Sequence, residues 1–247
     1  MPLRFQQKLI IPAASRPLIE RRELLDQLER DISSMRVVAT AAPAGWGKTT
    51  ALAQWAARSA LPVAWYTLDA ADRDPHLFLD YLLHSVAAFV PDAGAILARL
   101  ASTSPQGLAD VMQAVALAFA AAPQPFALVL DDFHALDEDP PRQIPGSALT
   151  LDLLASIAEY AANCHLVIAS RTLPALHGLV RMLAQRRAAV YDYTALQMNA
   201  ADVQRLAGES YGISLTDERA EQLTARLGGW VTGIVLSLDK ASVESHG

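Results

Sequence analysis

The chain has 247 residues, of which 52% are apolar and 19% are charged, a composition that supports a large buried core and argues against disorder. The length fits one large α/β domain, or one domain with a smaller piece attached. The net charge of −6 argues against nucleic-acid binding by this chain alone, although a DNA-binding domain outside the chain is compatible with it.

Three further features favour a cytoplasmic location. The single cysteine, Cys164, excludes an intramolecular disulfide and fits a reducing compartment. The N-terminus lacks the uninterrupted apolar segment of a signal peptide. No uncharged apolar run reaches the length of about 18 residues that a membrane-spanning helix needs. We therefore expect no membrane partner.

Hydrophobic patterning predicts strands that alternate with helices along most of the chain. Residues 1–35 are expected to form an N-terminal arm and a helix. Predicted strands occupy residues 36–40, 63–68, 126–132, 165–171 and 189–193, whereas the proline-rich residues 134–148 are expected to form a surface loop. Helices are expected at residues 51–59, 93–100 and 149–162. Two more are expected to begin at residues 75 and 107, and a helical stretch after the fourth strand is expected to end at residue 187. Because helices separate consecutive strands, the pattern predicts an α/β fold with a mainly parallel five-stranded sheet flanked by helices.

The last fifty or so residues have a different pattern. After Asn199 the periodicity is entirely helical, with helices expected at residues 200–211, 216–227 and 230–240 and a break at Gly228–Gly229. We therefore assign residues 36–194 to the α/β domain and residues 195–247 to the start of a small helical subdomain. This subdomain is expected to be incomplete, so the chain is expected to be part of a longer protein.

Residues 42–50 (APAGWGKTT) lie between a predicted strand and a predicted helix, which is the context of a phosphate-binding P-loop. Small residues let the backbone wrap a phosphate chain, and the helix N-terminus adds partial positive charge. Lys48 is expected to reach the β and γ phosphates, and the Thr49 hydroxyl to bind Mg²⁺. Ala42 replaces the glycine that usually opens the motif. The expected nucleotide-binding residues are Pro43, Ala44, Gly45, Trp46, Gly47, Lys48, Thr49 and Thr50, with Trp46 either covering the nucleotide or packing on a neighbouring helix.

Polar residues follow two other predicted strands. Asp131 and Asp132 come after an unbroken apolar run, and Arg171 ends the next strand. Ligands of open parallel sheets bind beyond the carboxyl ends of the strands, so these side chains are expected to converge with the P-loop and with Asp69. Asp131 is the expected Mg²⁺ ligand and Asp132 the residue that orients or deprotonates the attacking water. Arg171 either stabilises charge on the γ-phosphate or merely caps its strand. No Asn-Lys-x-Asp guanine signature is present, which favours ATP or ADP over GTP.

Five stretches together resemble the nucleotide-binding module of the large ATP-binding LuxR-type transcription regulators, the MalT-like branch of the STAND signalling ATPases. They are APAGWGKTTALAQW, AWYTLDAADRDPHLF, FALVLDDFHAL, HLVIASRTLPAL and GGWVTGIVLSL. The resemblance implies that Asp131 and Asp132 form the Walker B pair and that Arg171 is the sensor arginine. It also implies that Arg21, otherwise a solvated residue at a helix start, lies against the nucleotide, and that Gly229 and Trp230 belong to the subdomain that closes over it.

The resemblance further implies an ATP/ADP switch with weak Mg²⁺-dependent hydrolysis. Such a switch would control self-association of the full-length protein, and DNA would be bound only through a domain absent from this chain. Two alternatives stay open: a catalytic AAA-like ATPase with an arginine finger from a neighbouring subunit, and a P-loop small-molecule kinase with a lid near residues 181–187. A binding module without chemistry is disfavoured because Lys48, Thr49, Asp131 and Asp132 are all present.

Overall fold

The computed structural model describes residues 7–13, 19–137 and 147–245. Its centre is a parallel sheet of five strands: β1 (Val37–Ala41), β2 (Val63–Thr67), β3 (Phe126–Asp131), β4 (Cys164–Ser170) and β5 (Ala188–Asp192). The spatial order is β2-β3-β4-β1-β5, and every neighbouring pair is parallel. The predicted α/β fold with a mainly parallel five-stranded sheet is confirmed.

The register of the strands aligns their carboxyl ends. Ala41 at the end of β1 pairs with Ser170 of β4 and with Asp192 of β5, and Thr67 of β2 pairs with Asp131 of β3. Because parallel strands all end at the same edge, the residues that follow β1, β3 and β4 meet there. This edge carries the P-loop, the two aspartates and Arg171.

Helices cover both faces of the sheet. One face packs on α1 (Arg22–Ser34) and α2 (Lys48–Arg58). The other packs on α3 (Pro75–Ser85), α4 (Ala93–Leu100), α5 (Leu108–Ala120), α7 (Ser147–Tyr160) and α8 (Leu179–Ala184). Neighbouring strand residues belong to opposite cores, for example Val38 to the first and Val37 to the second. A strand with helices on both faces must be apolar at every position, which explains the unbroken apolar runs of the sequence.

Two predicted segments differ from the structure. The expected loop at residues 134–148 begins with a helical turn, α6 (His134–Asp137), because Phe133 just before the turn and Leu136 within it are buried in the core. Residues 138–146 lie outside the described residues. The helical stretch expected up to residue 187 is confined to α8. Gly178, with a φ of 82°, immediately precedes its first residue and sets where it begins.

After β5 comes a short helix, α9 (Tyr193–Leu196), and then α10 (Ala200–Tyr211), α11 (Asp217–Leu227) and α12 (Val231–Ser245). The last three helices, which we call the helical region, pack around an apolar cluster of their own that includes Leu206, Ala220 and Ile234. Asn199 and Thr216 cap α10 and α11 through their side chains, as their positions in the sequence predict. The division of the chain at residue 195 stays a prediction. In the described part of the chain, no helix combines the length and apolar character needed to cross a membrane.

Candidate functional site

Residues 42–47 form the turn that joins β1 to α2, and two glycines make its shape possible. Gly45 and Gly47 have φ values of 79° and 80°, a left-handed conformation that side chains disfavour. The turn delivers the chain directly into α2, which begins at Lys48. Because the first N–H groups of a helix lack acceptors within the helix, the turn and the start of α2 form a concave surface suited to anions.

Lys48 is held inside this turn. Its side chain is only 8% exposed, and its Nζ donates hydrogen bonds of 2.6 Å to the carbonyl of Ala42 and 3.0 Å to that of Pro43. Burial lowers the pKa of Lys48, and the charge of Arg171 acts in the same direction, while Asp132 and Asp131 oppose the shift. The ammonium group is thus placed among charged neighbours from β3 and β4, where a phosphate would add a further acceptor.

Thr49 and Asp131 meet between α2 and β3. The Thr49 hydroxyl donates a 3.0 Å hydrogen bond to Oδ1 of Asp131, which also accepts the N–H of Asp132 at 3.0 Å. Burial and, to a lesser degree, the charge of Asp132 raise the pKa of Asp131 to about 6, although the hydrogen bonds from Thr49 and Asp132 and the charge of Lys48 oppose the shift. Two adjacent hard oxygens of this kind fit Mg²⁺, which prefers such ligands and keeps several waters.

Within residues 7–13, 19–137 and 147–245, no group of three or more histidine, cysteine or acidic residues could hold a metal ion. In P-loop proteins Mg²⁺ takes most of its oxygens from water and phosphate, and Thr49 and Asp131 are the residues that would hold it here.

Asp132 points away from its neighbour. It adopts a left-handed φ of 55°, which aspartate tolerates better than most residues, and its side chain is 51% exposed. The sharp turn at this position buries Asp131 under Thr49 and leaves Asp132 on the wall of a cavity. Two consecutive carboxylates thus have separate places, one beside the hydroxyl of α2 and one facing open space.

The cavity has a volume of about 1000 Å³ and lies between the sheet edge and the helical region. The sheet side supplies charged and backbone groups, including Lys48, Asp132 and Arg171. The side of the helical region supplies mainly apolar and small polar residues: Ser210, Tyr211, Val231, Thr232, Val235, Asp239, Ser242 and Val243. Ala13 of the N-terminal arm completes the wall. A cleft of this size, with Lys48, Asp132 and Arg171 on one wall and valines, hydroxyl residues and Asp239 on the other, suits a nucleotide.

Comparison with known proteins agrees with this geometry. Residues 18–168 match the family described as the AAA ATPase domain, a match that covers more than half of the chain. The chain belongs to this family. The matched range of the AAA ATPase domain contains the P-loop, Asp131 and Asp132, and it ends within β4.

Relatives of this AAA ATPase domain include the HTH-type transcriptional regulators MalT of Yersinia enterocolitica (serotype O:8 / biotype 1B) and of Yersinia pestis. Each is 26% identical over 233 residues, which cover 93% of the chain but 24% of the relative. The chain therefore spans about a quarter of the length of these curated relatives. The resemblance to MalT-like STAND ATPases is confirmed.

Two solved structures share the fold. One is a STAND protein with a tetratricopeptide repeat sensor from Pyrococcus horikoshii, with a TM-score of 0.58, 16% identity, and coverage of 89% of this chain and 29% of that protein. The other is a Walker-type ATPase of Pyrococcus abyssi, with a TM-score of 0.53, 12% identity, and coverage of 94% and 75%.

Several residues predicted for the site lie elsewhere in this AAA ATPase domain. Arg21 does not line the cavity: its guanidinium donates to the carbonyl of Leu196 at 2.7 Å, to the carbonyl of Gln197, and to Asp202 at 3.1 Å. Three of its five donors are thus used in the link before α10 and in Asp202. The expectation that Arg21 lies against the nucleotide stays a prediction.

Two other predicted residues have structural contacts. Trp46 packs edge-on against Tyr193 of α9, with ring centroids 5.3 Å apart. This contact matches the expectation that Trp46 packs on a neighbouring helix. Asp69 follows the carboxyl end of β2, as expected, but it does not line the cavity, and its carboxylate forms a 2.9 Å ion pair with Lys8 of the N-terminal arm. The Lys48, Thr49, Asp131, Asp132 and Arg171 side chains do come together, and their individual roles stay predictions.

The local pattern did not indicate which residues form the second wall of the cavity; the resemblance implied only that Gly229 and Trp230 belong to a subdomain that closes over the nucleotide. Trp230, just before α12, and Thr232 contact the P-loop, while Val235 of α12 and Tyr211 of α10 line the cavity. The available signal was the cluster Gly228–Gly229–Trp230, because a glycine pair beside a tryptophan at a helix start indicates close packing of backbone and ring. Nothing in the local pattern says what that packing touches.

Proposed function

We propose that this chain is an ATP- and ADP-binding module that acts as a nucleotide-operated switch, with slow Mg²⁺-dependent hydrolysis, in a MalT-like transcription regulator. The observation that carries the proposal is the position of the cavity. One wall is the P-loop edge of the sheet and the other is the helical region, so a bound nucleotide would touch both. A ligand that contacts both the P-loop edge and the helical region can favour one relative arrangement of the two over another.

Nucleotide binding would use the groups that converge at the P-loop. The Lys48 ammonium has three donors, two of which now bind the carbonyls of Ala42 and Pro43, so it can reach phosphate oxygens by giving up or sharing these contacts. The Thr49 hydroxyl and the Asp131 carboxylate would hold Mg²⁺, which supplies neutralisation of phosphate charge. The apolar residues Val231 and Val235 would face the less charged part of the ligand.

Hydrolysis would depend on two residues at the open end of the sheet. Asp132 lines the cavity, and in the proposed function it orients or deprotonates the attacking water. Arg171 lines the same cavity and lies close enough to Lys48 to influence its pKa, so its guanidinium can stabilise charge on a terminal phosphate. In a switch, the γ-phosphate acts by contacting one conformation more than the other, and slow turnover keeps the ATP state long-lived.

The contacts of the arginines near residues 181–187 disfavour the kinase alternative, which needs them as a lid over the phosphates. Arg181 and Arg187 both pair with Glu159, at 2.8 Å and 3.1 Å. Arg187 immediately precedes β5, so it lies at the amino end of the sheet, opposite the P-loop edge. Arginines at that end are remote from a phosphate bound by Lys48.

In the full-length protein, we propose that the nucleotide state controls self-association, and that DNA is bound by a different domain. The relatives are described as HTH-type transcriptional regulators, and this chain matches about a quarter of their length. A cytoplasmic location is proposed with this role.

Calorimetric titration with ADP and with ATP tests the proposal, combined with hydrogen exchange of α10–α12 in each nucleotide state. We expect Mg²⁺-dependent binding of both nucleotides and different exchange protection in α12 with ADP and with a slowly hydrolysed ATP analogue. Lys48→Ala should remove binding, whereas Lys240→Ala, at an exposed position of α12, should not. Identical exchange in the two states would contradict the switch, and absence of binding to the unaltered chain would contradict the nucleotide site.

A further inference from the structure

The helical region is fastened to the P-loop at a specific point. We infer that Thr232 and Trp230 are positioning residues, which hold the P-loop in its phosphate-binding shape by binding the carbonyl groups on its outer side. The inference rests on the proposed function, because it names residues that support the same site without touching the ligand's phosphates.

Three hydrogen bonds make the connection. The Thr232 hydroxyl donates to the Gly45 carbonyl at 2.9 Å, and the Thr232 backbone N–H donates to the same oxygen at 3.0 Å. The indole Nε1 of Trp230 donates to the Ala44 carbonyl at 3.3 Å. Two consecutive peptide groups of the P-loop are therefore bound by one short segment at the start of α12.

Because of peptide geometry, these hydrogen bonds also fix the direction of the backbone N–H groups of the P-loop. A trans peptide is planar, and its C=O and N–H groups point in opposite directions. Holding the carbonyl of Ala44 toward α12 directs the N–H of Gly45 to the other side, and holding the carbonyl of Gly45 does the same for the N–H of Trp46. A P-loop binds phosphate through inward-facing N–H groups, so fixing their orientation beforehand reduces the ordering that ligand binding requires.

The contact also completes the start of α12. Thr232 lies in the first turn of this helix, where backbone N–H groups have no acceptor within the helix. The Gly45 carbonyl supplies one, so loop and helix each satisfy a group that the other leaves open. Loss of the contact would therefore loosen both partners.

Two glycines are explained by this packing. The P-loop pattern leaves the position of Gly45 free, yet a Cβ there would lie 2.6 Å from the Thr232 hydroxyl and 2.8 Å from the Trp230 indole nitrogen. A Cβ at Gly233 would lie 2.5 Å from Cε3 of Trp230, so a glycine is needed where the indole lies against α12. Neither position has room for a side chain, because the Trp230 ring lies against both the P-loop and α12.

A connected series of hydrogen bonds links Arg21 to the segment that contacts the P-loop. Its guanidinium binds the carbonyls of Leu196 and Gln197, and the next residue, Met198, donates its N–H to the Gly229 carbonyl at 3.0 Å. Gly229 directly precedes Trp230. The segment that fastens the P-loop is thus itself held by the link before α10, and Arg21 acts on that link.

Thr232→Val and Trp230→Phe test the inference, because each removes a side-chain donor. Thr232→Val keeps the shape of the side chain, whereas Trp230→Phe also removes part of the ring system. Thr224→Val is the matched control: the Thr224 hydroxyl binds the Ala220 carbonyl at 2.8 Å within α11. In the nucleotide-free protein, we expect faster hydrogen exchange of residues 43–50 in both test variants and wild-type exchange in the control. We also expect ADP and ATP to bind roughly three- to tenfold more weakly, by the same factor for both, which is the effect of one ordinary hydrogen bond.

The outcomes separate the inference from the proposed function. Wild-type exchange and wild-type affinity in Thr232→Val and Trp230→Phe would overturn the inference. Weaker binding with unchanged exchange would also overturn it, because Thr232 would then act on the nucleotide directly. If the unaltered chain bound no nucleotide, the proposed function would fail, while exchange of residues 43–50 would still decide whether α12 orders the loop.

Discussion

The Thr49 hydroxyl donates a 3.0 Å hydrogen bond to Oδ1 of Asp131, which joins the first turn of α2 to the last residue of β3. The two residues are 82 positions apart in the chain. They meet because Asp131 ends β3 and Thr49 lies just after β1, and both parallel strands end at the same sheet edge. The pair places a hydroxyl and a carboxylate side by side, next to the lysine of the P-loop.

Asp131→Asn should remove most of the Mg²⁺ dependence of nucleotide binding. The amide lacks the negative charge that favours a divalent cation, while Lys48 and the loop stay in place. We expect ATP affinity measured with Mg²⁺ to fall at least about tenfold, toward the value measured with EDTA. Asp110→Asn, at an exposed position on α5, is the control and should behave as the wild type. A variant that kept full Mg²⁺ enhancement would exclude Asp131 from the metal site.

Asp132→Asn should leave binding intact and suppress hydrolysis. Asp132 faces the cavity with half of its side chain exposed, so the amide can fill the same place without accepting a proton. A positioned general base contributes roughly 10²- to 10⁴-fold, which sets the expected loss in single-turnover phosphate release. Affinity for ATP should change by less than about twofold. Normal turnover would remove the residue from the chemistry.

Arg171→Ala should weaken ATP binding more than ADP binding. The guanidinium lines the cavity at the end of β4, and a charge-assisted hydrogen bond to the γ-phosphate is possible only with ATP. We expect the ATP to ADP affinity ratio to fall about tenfold. Arg181→Ala is the control, since Arg181 pairs with Glu159 on the other side of the domain. Equal losses for both nucleotides would exclude a role in sensing the γ-phosphate.

The sequence predicts those parts of the site that depend on residues close together in the chain, and it does not predict contacts between residues far apart in the chain. The P-loop, Asp131 and Arg171 are readable because each directly follows an apolar strand, and a parallel sheet brings such positions together without further information. The partners of Arg21 are 175 and 176 positions away, and Thr232 is 187 positions from Gly45. No local pattern encodes contacts of that range. The resemblance gave Gly229 and Trp230 to a subdomain that closes over the nucleotide, but the contacts of that subdomain with the P-loop and those of Arg21 are visible only in the folded chain.

The start of the 134–148 segment shows a different limit. Its prolines and its glycine indicate a loop, whereas the buried Phe133 and Leu136 hold its beginning on the core as a helical turn. Burial of two large side chains outweighed the composition of the segment as a whole. Local propensity is a weak guide where a few residues are drawn into the core.

Lys8→Met should destabilise the fold. The Lys8 ammonium lies 2.9 Å and 2.7 Å from the two carboxylate oxygens of Asp72 and 4.7 Å from the ring centroid of Tyr81. Asp72 is fully buried and also accepts the Tyr66 hydroxyl at 2.8 Å. Removing the cation leaves a buried carboxylate without its ion pair, which costs about 3 kcal/mol. Urea unfolding measures the loss, with Lys240→Met as the control.

The stability difference between wild type and Lys8→Met should depend on pH. Burial tends to raise the pKa of Asp69, but the hydrogen bond from Lys8 and that from the Ala71 N–H outweigh it and hold the pKa below its usual value. The stabilisation from Asp69 is therefore present above about pH 4 and is lost as the pH falls through the lower folded-state pKa. The difference in unfolding free energy should narrow below pH 4. A difference that widened there would contradict the assigned ion pair.

The nucleotide content and turnover of the purified protein test the switch most directly. The protein is denatured, the released nucleotide is separated by ion exchange, and phosphate release is assayed in parallel on native protein with Mg²⁺ and ATP. A switch predicts tightly held adenine nucleotide and turnover far below about one per second, the lower end of ordinary enzymes. An empty site with turnover above that rate would contradict the switch and favour a catalytic ATPase.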